Sequence, residues 1–263
     1  MRLGVPRDGI VLVHSSLRAV GWIVGGPVTV VEALRDVLGP DGTIVVPTHT
    51  GHNRDPSRWV RPWIAEELWD RVRDAIPAFD PQLTPSFGLG QLAECVRTWP
   101  GARRSDHPQT SFAAIGPAAA ELLAGHELTS PLGEQSPLRR LEEANGYALL
   151  LGTGYDTCTS FHLAEYRASN PPMQENACAV RTQRGREWVR YSTVALDDGD
   201  FDRLGEHFEQ ESNRVRVGPV GHATARLLPV AAAVAFASAW LPSFQRGAGG
   251  NRWPVGRPSA VRR

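Results

Sequence analysis

The chain has 263 residues, with 28 acidic and 28 basic side chains and a formal net charge of zero. Every basic residue is arginine, since no lysine occurs, and this excludes the lysine of a Walker A loop, a Schiff-base lysine and a Ser-Lys dyad. Balanced charge argues against nucleic acid or an anionic membrane as the main partner, and at 41% hydrophobic the chain can bury a full core.

Cys95, Cys158 and Cys178 are well separated and form no C-x-x-C pair, which fits a reducing cytoplasm better than a disulfide framework or a zinc knuckle. The start, MRLGVPRDG, has no apolar signal region, and no apolar run approaches the length of a membrane span. A cytoplasmic location is therefore expected.

Ile10 to Val13 is an apolar, mostly β-branched run and reads as a buried strand that ends at His14-Ser15-Ser16. Val28, Val31, Leu34, Val37 and Leu38 then recur at helical spacing until Gly39-Pro40 stops the helix. Asp41-Gly42 turns the chain, and Thr43 to Val46 forms a second buried strand. Strand, helix and strand in this order make a βαβ unit with parallel strands. Residues 48 to 63 read as a loop, Ile64 to Ile76 as a helix, 79 to 85 as a second loop, and Gly88 to Arg97 as a further helix. Ser111 to Ile115 and Tyr147 to Leu151 read as strands. Ala177 to Val180 and Trp188 to Val194 read as a hairpin joined through Gln183-Arg184-Gly185. Residues 197 to 211 hold seven acids against one arginine, whereas Ser212 to the end holds eight arginines and no acid. The expected architecture is α/β: a single domain over residues 1 to 241, with a central mixed β-sheet flanked by helices. Residues 242 to 263 are expected to be a disordered basic tail.

Three constellations carry chemistry. At the first strand end, Ser15 and Ser16 can cap backbone N–H groups, or with those groups can hold a phosphate, and Gly21, Gly25 and Gly26 permit a close approach of backbone to ligand. Ligands in parallel sheets sit at such carboxyl ends, which brings His14 into the same group. In Gly101-Ala-Arg-Arg-Ser-Asp-His-Pro108 the proline holds His107 extended, leaving it as either a general base or a solvent-exposed or turn-stabilising histidine. In the third, Gly152 and Gly154 follow an apolar strand, but Thr157 occupies the third glycine position of a dinucleotide fingerprint, so that match fails. His162 and Glu165 share a helix face, where they could bind metal, hold a catalytic histidine or form a surface hydrogen-bonded pair. No H-E-x-x-H and no G-x-S-x-G is present, so no metal site is expected and an α/β-hydrolase is disfavoured.

An ordered set of short motifs resembles the aminoglycoside 3-N-acetyltransferase family. The motifs are Val13-His-Ser-Ser-Leu17 with Gly25-Gly26, Leu38 to Pro47, Asp55-Pro-Ser-Arg-Trp59, Phe79-Asp-Pro81, Thr84-Pro85, and Gly101 to Pro108 with Ser111 to Ala114. Leu149 to Gly152 with His162-Leu-Ala-Glu165, and Gly218 to Gly221 with Ala223, complete the set. The resemblance implies the antibiotic N-acetyltransferase fold, which is not that of the larger acetyltransferase superfamily, whose R/Q-x-x-G-x-G/A loop is absent. It implies acetyl transfer from acetyl-CoA, as co-substrate, to the 3-amino group of the 2-deoxystreptamine ring, by direct attack and without an acyl-enzyme. His107 would be the base and Glu165 would orient it; Ser15 and Ser16, with His14 and Gly25, would hold CoA, and Thr84 and Ser111 would line its channel. Asp80, Asp156 and Glu165 are the candidates for binding the polycationic acceptor, with the stretch from 197 to 211 as an outer rim. Members of this family usually carry a helical segment before the V-H-S-S strand, and the sequence here starts almost at that strand. A monomer or homodimer is expected. The alternatives are the same fold acylating another amine, a non-catalytic CoA- or nucleotide-binding protein, and a metal-dependent hydrolase using His162 and Glu165.

Overall fold

A computed structural model describes residues 3–59 and 62–247, with the side chains of 242–247 left aside. The first strand, β1 (Ile10–Ser15), leads into the short α1 (Leu17–Val20) and then α2 (Gly26–Leu38). β2 (Thr43–Pro47) follows, and a long loop reaches α3 (Trp69–Ala75) and α4 (Gly90–Arg97). β3 (Arg103–Arg104) and β4 (Phe112–Ile115) precede α5 (Ala119–Leu123) and α6 (Pro137–Glu143). After β5 (Tyr147–Leu151) come two 3-10 turns, at Tyr155–Thr157 and Thr159–Phe161, and α7 (His162–Tyr166). β6 (Met173–Thr182) and β7 (Gly185–Val194) form the hairpin, followed by α8 (Phe201–Ser212). β8 (Arg216–Val220), β9 (Ala223–Pro229) and α9 (Val230–Gly247) complete the described chain.

Seven strands make one mixed sheet in the order β3-β4-β2-β1-β5-β9-β8. β1 pairs in parallel with both β2 and β5, while the outer strands are antiparallel. The fold is therefore the single-domain α/β mixed sheet expected from the sequence. Both faces of β1 are buried, which is why its sequence is continuously apolar rather than alternating. Leu12, with Leu150 and Leu228, packs under α5 to α9, whereas Val11 and Val13, with Leu149 and Leu151, pack under α1, α2 and α4. α9 presents Val230, Ala233, Val234 and Ala237, one helical face, to the first of these layers.

Some helix expectations needed adjustment. Ile64 to Ile76 is a 3-10 turn (Glu66–Leu68) followed by the shorter α3, with Leu68 exposed. In α2 only Val31 and Leu38 of the periodic positions are fully buried, and Val28 and Val37 face outward. α9 continues to Gly247, past the boundary expected at 241; the rest of the expected tail lies outside the described residues. Among the described residues no helix is long and apolar enough to cross a membrane.

β6 and β7 form a separate two-stranded sheet, held to the body by polar clasps. Asn53 Nδ2 donates to the Ala179 carbonyl and its Oδ1 accepts from the Ala179 N–H, both at 2.8 Å. Gln109 Nε2 donates to the Asn53 and Ala177 carbonyls, and Tyr191 donates its hydroxyl to Gln109 Oε1. These contacts place one edge of the hairpin over the carboxyl ends of β1, β2 and β5.

Candidate active site

A cleft of about 1520 Å³ opens at those strand ends. His14, Ser15 and Ser16 enter it from β1, Pro47 and His49 from β2, and Gly152 to Gly154 from β5. This is the place that a parallel sheet reserves for ligands, since all three strands release the chain into loops on the same edge. The hairpin contributes Gln174, Asn176, Thr193 and Val194, and the segment after it contributes Leu196 and Asp198.

Ser16 is the N-cap of α1, yet its hydroxyl makes no capping bond, and its N–H donates to the Leu151 carbonyl at 2.9 Å. The side chain is thus left to the cleft rather than spent on the helix. Gly152, at φ +73°, lets β5 pass close beneath α1, because a Cβ there would lie 3.0 Å from both Ser16 O and Ala19 Cβ.

His162 opens α7 and lines the cleft. Its Nδ1 lies 2.5 Å from Glu165 Oε2, and its ring packs against Phe201 with centroids 4.7 Å apart. Glu165 is 2% exposed, and its second oxygen, Oε1, accepts from the Asp197 N–H at 2.9 Å. Burial pushes the Glu165 carboxyl pKa up, and the neighbouring His162 opposes that rise. With Nδ1 occupied by the carboxylate, Nε2 is the nitrogen that His162 has for a ligand in the cleft. Two more histidines stand near it. His14 Nε2 lies 3.3 Å from Thr159 Oγ1, and burial followed by the charge of His162 lowers its pKa to about 3. His49 is lowered to about 3 as well, by burial first, and its Nε2 has no hydrogen-bond partner.

His107 sits elsewhere. It is 1% exposed and does not line the cleft. Its Nδ1 accepts from the Gln109 N–H (3.1 Å) and the Thr110 N–H (2.9 Å), which fixes the proton on Nε2, facing the Leu128 carbonyl at 3.2 Å. Burial lowers its pKa to about 4, against a smaller raising effect of the Leu128 carbonyl. The expected His107–Glu165 pair does not form, because Glu165 is taken by His162 on another element. Burial rules out the solvent-exposed reading of His107, and the hydrogen bonds match the turn-stabilising one: the side chain closes the loop entering β4.

The remaining expected residues divide. His14, Ser15, Ser16 and Asp156 line the cleft. Thr84 instead uses its hydroxyl to accept from the Asp80 N–H, and Asp80 Oδ1 accepts from the Gln82 and Leu83 N–H groups, so both close a turn outside the cleft lining. Ser111 is fully buried, donating to the Thr48 carbonyl and accepting from Arg104 Nε. Gly25 is absent from the lining, and a Cβ there would meet Thr29 Oγ1. Glu165 is buried, with each oxygen already hydrogen-bonded, and is absent from the cleft lining. Of the acidic stretch, Asp198 reaches the cleft beside Asp156, whose pKa is raised by burial and by the charges of Asp202 and Asp198. α8 itself buries Phe201, Leu204 and Phe208 on its inner face.

Sequence reasoning missed His49, Arg54, Arg58, Trp59, Gln109 and Thr110 as lining residues. Arg58 and Trp59 lie inside the Asp55-Pro-Ser-Arg-Trp59 motif, which was the available signal. Among the described residues, no group of three or more His, Cys, Asp or Glu side chains is placed to hold a metal ion.

The sequence profile of the aminoglycoside 3-N-acetyltransferase family matches residues 12–242. A prophage-derived aminoglycoside N(3')-acetyltransferase-like protein of Bacillus subtilis, YokD, is 41% identical over 239 residues, covering 90% of this chain and 88% of its own. Aminoglycoside N(3)-acetyltransferase IX of Micromonospora chalcea is 37% identical over 259 residues, covering 91% and 89%. The YokD crystal structure superimposes with a TM-score of 0.90 over 95% of this chain and 92% of that one. An aminoglycoside acetyltransferase solved with coenzyme A superimposes with a TM-score of 0.81 at 30% identity, over 96% and 95%.

Proposed function

The chain belongs to the aminoglycoside 3-N-acetyltransferase family, and from that premise we propose that it moves an acetyl group from acetyl-CoA to the 3-amino group of a 2-deoxystreptamine aminoglycoside, with His162 as the base. The observation that carries this reading is the cleft-lining His162 with Nδ1 against the buried Glu165.

An aminoglycoside amine is mostly protonated near neutral pH, and only its free lone pair attacks a thioester. Glu165 keeps the His162 proton on Nδ1, which leaves a basic lone pair on Nε2, directed at the acceptor. The amine nitrogen bonds to the thioester carbonyl carbon, its proton passes to Nε2, the C–S bond breaks, and CoA leaves as the thiol after taking up that proton. The imidazolium formed on the way is stabilised by Glu165, whose charge is held in place by the Asp197 N–H. The uncapped Ser15 and Ser16 hydroxyls, with Arg18 beside them in the cleft, supply donors for the phosphates of CoA. Asp156 and Asp198 supply negative charge for the acceptor ammonium groups.

Purified protein mixed with acetyl-CoA and gentamicin, tobramycin, paromomycin or neomycin should release free thiol in step with acceptor consumption. Thiol release absent from this panel but present with other amines would move the reading to the same chemistry on a different acceptor. Absence with every amine, while CoA still binds, would leave a CoA-binding protein without this activity.

A further inference from the structure

The cleft carries two arginines to which the proposed transfer step assigns no role. Arg54 and Arg58 lie on the loop after β2 and line the cleft next to Gln174 and Asn176 of the hairpin. Arg58 is anchored there: its Nη1 donates to Asn176 Oδ1 (2.9 Å) and to the Glu175 carbonyl (3.2 Å), and its Nη2 donates to Gln174 Oε1 (2.9 Å). All three acceptors are neutral, so they orient the guanidinium without cancelling its charge. The Arg54 side chain makes no hydrogen bond, and among the described residues neither arginine has a carboxylate within ion-pair distance. Arg73, Arg97 and Arg226 pair with Asp55, Glu94 and Glu209, whereas the half-buried Arg104, like Arg58, is held by neutral acceptors alone. Arg54 is also close enough to Arg58 to be affected by it. Arg54 is exposed at the cleft rim, and the protein around it, followed by the charge of Arg58, lowers its pKa.

Two like charges facing one space without a counter-charge are unfavourable, and an anion entering that space relieves both. The same cleft carries Asp156 and Asp198, which suit ammonium groups. A ligand matching the whole lining therefore has amines and an anion on one molecule. We propose that Arg54 and Arg58 form an anion subsite for the acceptor, so that the preferred substrate is an aminoglycoside bearing a phosphate rather than the unmodified polycation. This rests on the reading that the cleft acetylates an aminoglycoside amine. Such an acceptor must come from a reaction that phosphorylates a sugar hydroxyl. The phosphates of acetyl-CoA are the other source of an anion, and Ser15, Ser16 and Arg18 offer them separate donors.

The test compares neomycin with neomycin 3'-phosphate, by calorimetric binding to the CoA-saturated protein and by thiol release. The phosphorylated compound should bind at least about tenfold more tightly, the scale of a hydrogen bond to a charged group, with the same ordering in kcat/KM. Arg54→Gln removes a side chain with no bond to lose, so a folding defect is not expected; it should bring the two affinities within about twofold of each other. Arg58→Gln should do the same, with its melting temperature checked because it also ties the loop to the hairpin. CoA and 3'-dephospho-CoA should bind both variants as they bind the parent protein. Equal binding of the two neomycins, or a preference that survives both substitutions, overturns the proposal. So does weakened binding of CoA but not of 3'-dephospho-CoA, which would assign the arginines to the co-substrate. Absence of thiol release with both compounds counts against the acetyl-transfer reading, whereas the binding comparison by itself decides the anion subsite.

Discussion

Glu165→Gln isolates the charge of one oxygen at almost constant shape. In the native site Oε2 faces the His162 Nδ1–H at 2.5 Å and Oε1 accepts from the Asp197 N–H at 2.9 Å, with 2% of the residue exposed. An amide has one acceptor and one donating group. If its oxygen faces Asp197, its NH₂ faces His162 and drives the imidazole to the tautomer with the proton on Nε2. If its oxygen faces His162, two N–H groups collide at Asp197 and the support of the ring is lost. Either way the cleft-facing nitrogen loses its basicity or its orientation. The expected loss in kcat is roughly 10²–10⁴-fold, the range for removing a positioned base; this corresponds to about 3–5 kcal/mol of transition-state stabilisation. His162→Gln keeps a donor for Glu165 but cannot accept a proton, so it should fall as far. The double variant should be no worse than His162→Gln alone, because the two side chains act as one unit. The contrast is His107→Ala, which strips two buried N–H groups of their acceptor at about 1–3 kcal/mol each and should lower the melting temperature while leaving kcat of the folded fraction within a few-fold. Initial rates of thiol release under saturating acetyl-CoA, with CoA binding and thermal melts as controls, read all four proteins. Glu165→Gln within threefold of the parent, or His107→Ala inactive yet fully folded, would refute the assignment.

Two further outcomes follow from burial. His107 is held near pKa 4 in the fold, against about 6.5 in an unfolded chain. Between those values the unfolded state binds the proton and the native state does not, so stability is full above about pH 6.5, declines as pH falls toward 4, and flattens below. For this residue the difference amounts to about 3 kcal/mol, and His14, lowered to about 3, pulls in the same direction. Glu94, whose carboxyl is held down to about 2 with Arg97 and Ser86 as hydrogen-bond partners against an opposing burial effect, loses its contribution only below the usual carboxylate range. Urea unfolding at pH 7.5, 6 and 5 thus reports the histidines, and a flat midpoint over that range would contradict the burial argument. The second outcome concerns Gly205 in α8, where a Cβ would lie 1.9 Å from Tyr155 Cγ. Gly205→Ala should therefore destabilise by roughly 1–3 kcal/mol despite the better helix propensity of alanine. Unchanged or raised stability in denaturant titration would show that Tyr155 moves aside freely.

Local pattern predicts the sheet better than the site. β1, β2 and β5 announce themselves as short apolar runs between turn signals, and the hairpin as two runs around Gly185, because each signal lies within the element itself. β8 and β9 escaped notice: Arg216–Val220 contains Gly218 and Pro219, and such residues sit only on a sheet edge, which is where β8 lies. At the site, Ser15 and Ser16 are legible because a strand end has a known place in α/β sheets, whereas Asp156 follows only from the family resemblance and the positive charge of the acceptor it implies. The partner of Glu165 was harder to choose. His162, three residues before it, and His107, on a distant loop, are both compatible with sequence spacing. What separates them is the backbone of Gln109 and Thr110, which folds back onto His107 and occupies its only acceptor. Arg54 and Arg58 were passed over for a related reason. A charged side chain on a loop reads as solvated until the hairpin, more than a hundred residues later in the chain, is laid against it.

The hairpin of β6 and β7 has a bearing on how this protein can change. Part of its attachment to the body runs through backbone groups, the carbonyls of Ala177 and Ala179 and the Ala179 N–H, gripped by Asn53 and Gln109, and the Tyr191 and Thr193 hydroxyls add side-chain ties to Gln109 and Tyr166. The backbone grips are indifferent to which side chains the strand displays. The Gln174 and Asn176 side chains face the cleft and also hold Arg58, while His162 and Glu165 stay on a different element. The wall that the hairpin gives the cleft and the His162–Glu165 pair thus lie on separate elements, so substitutions along β6 reshape the one without touching the other.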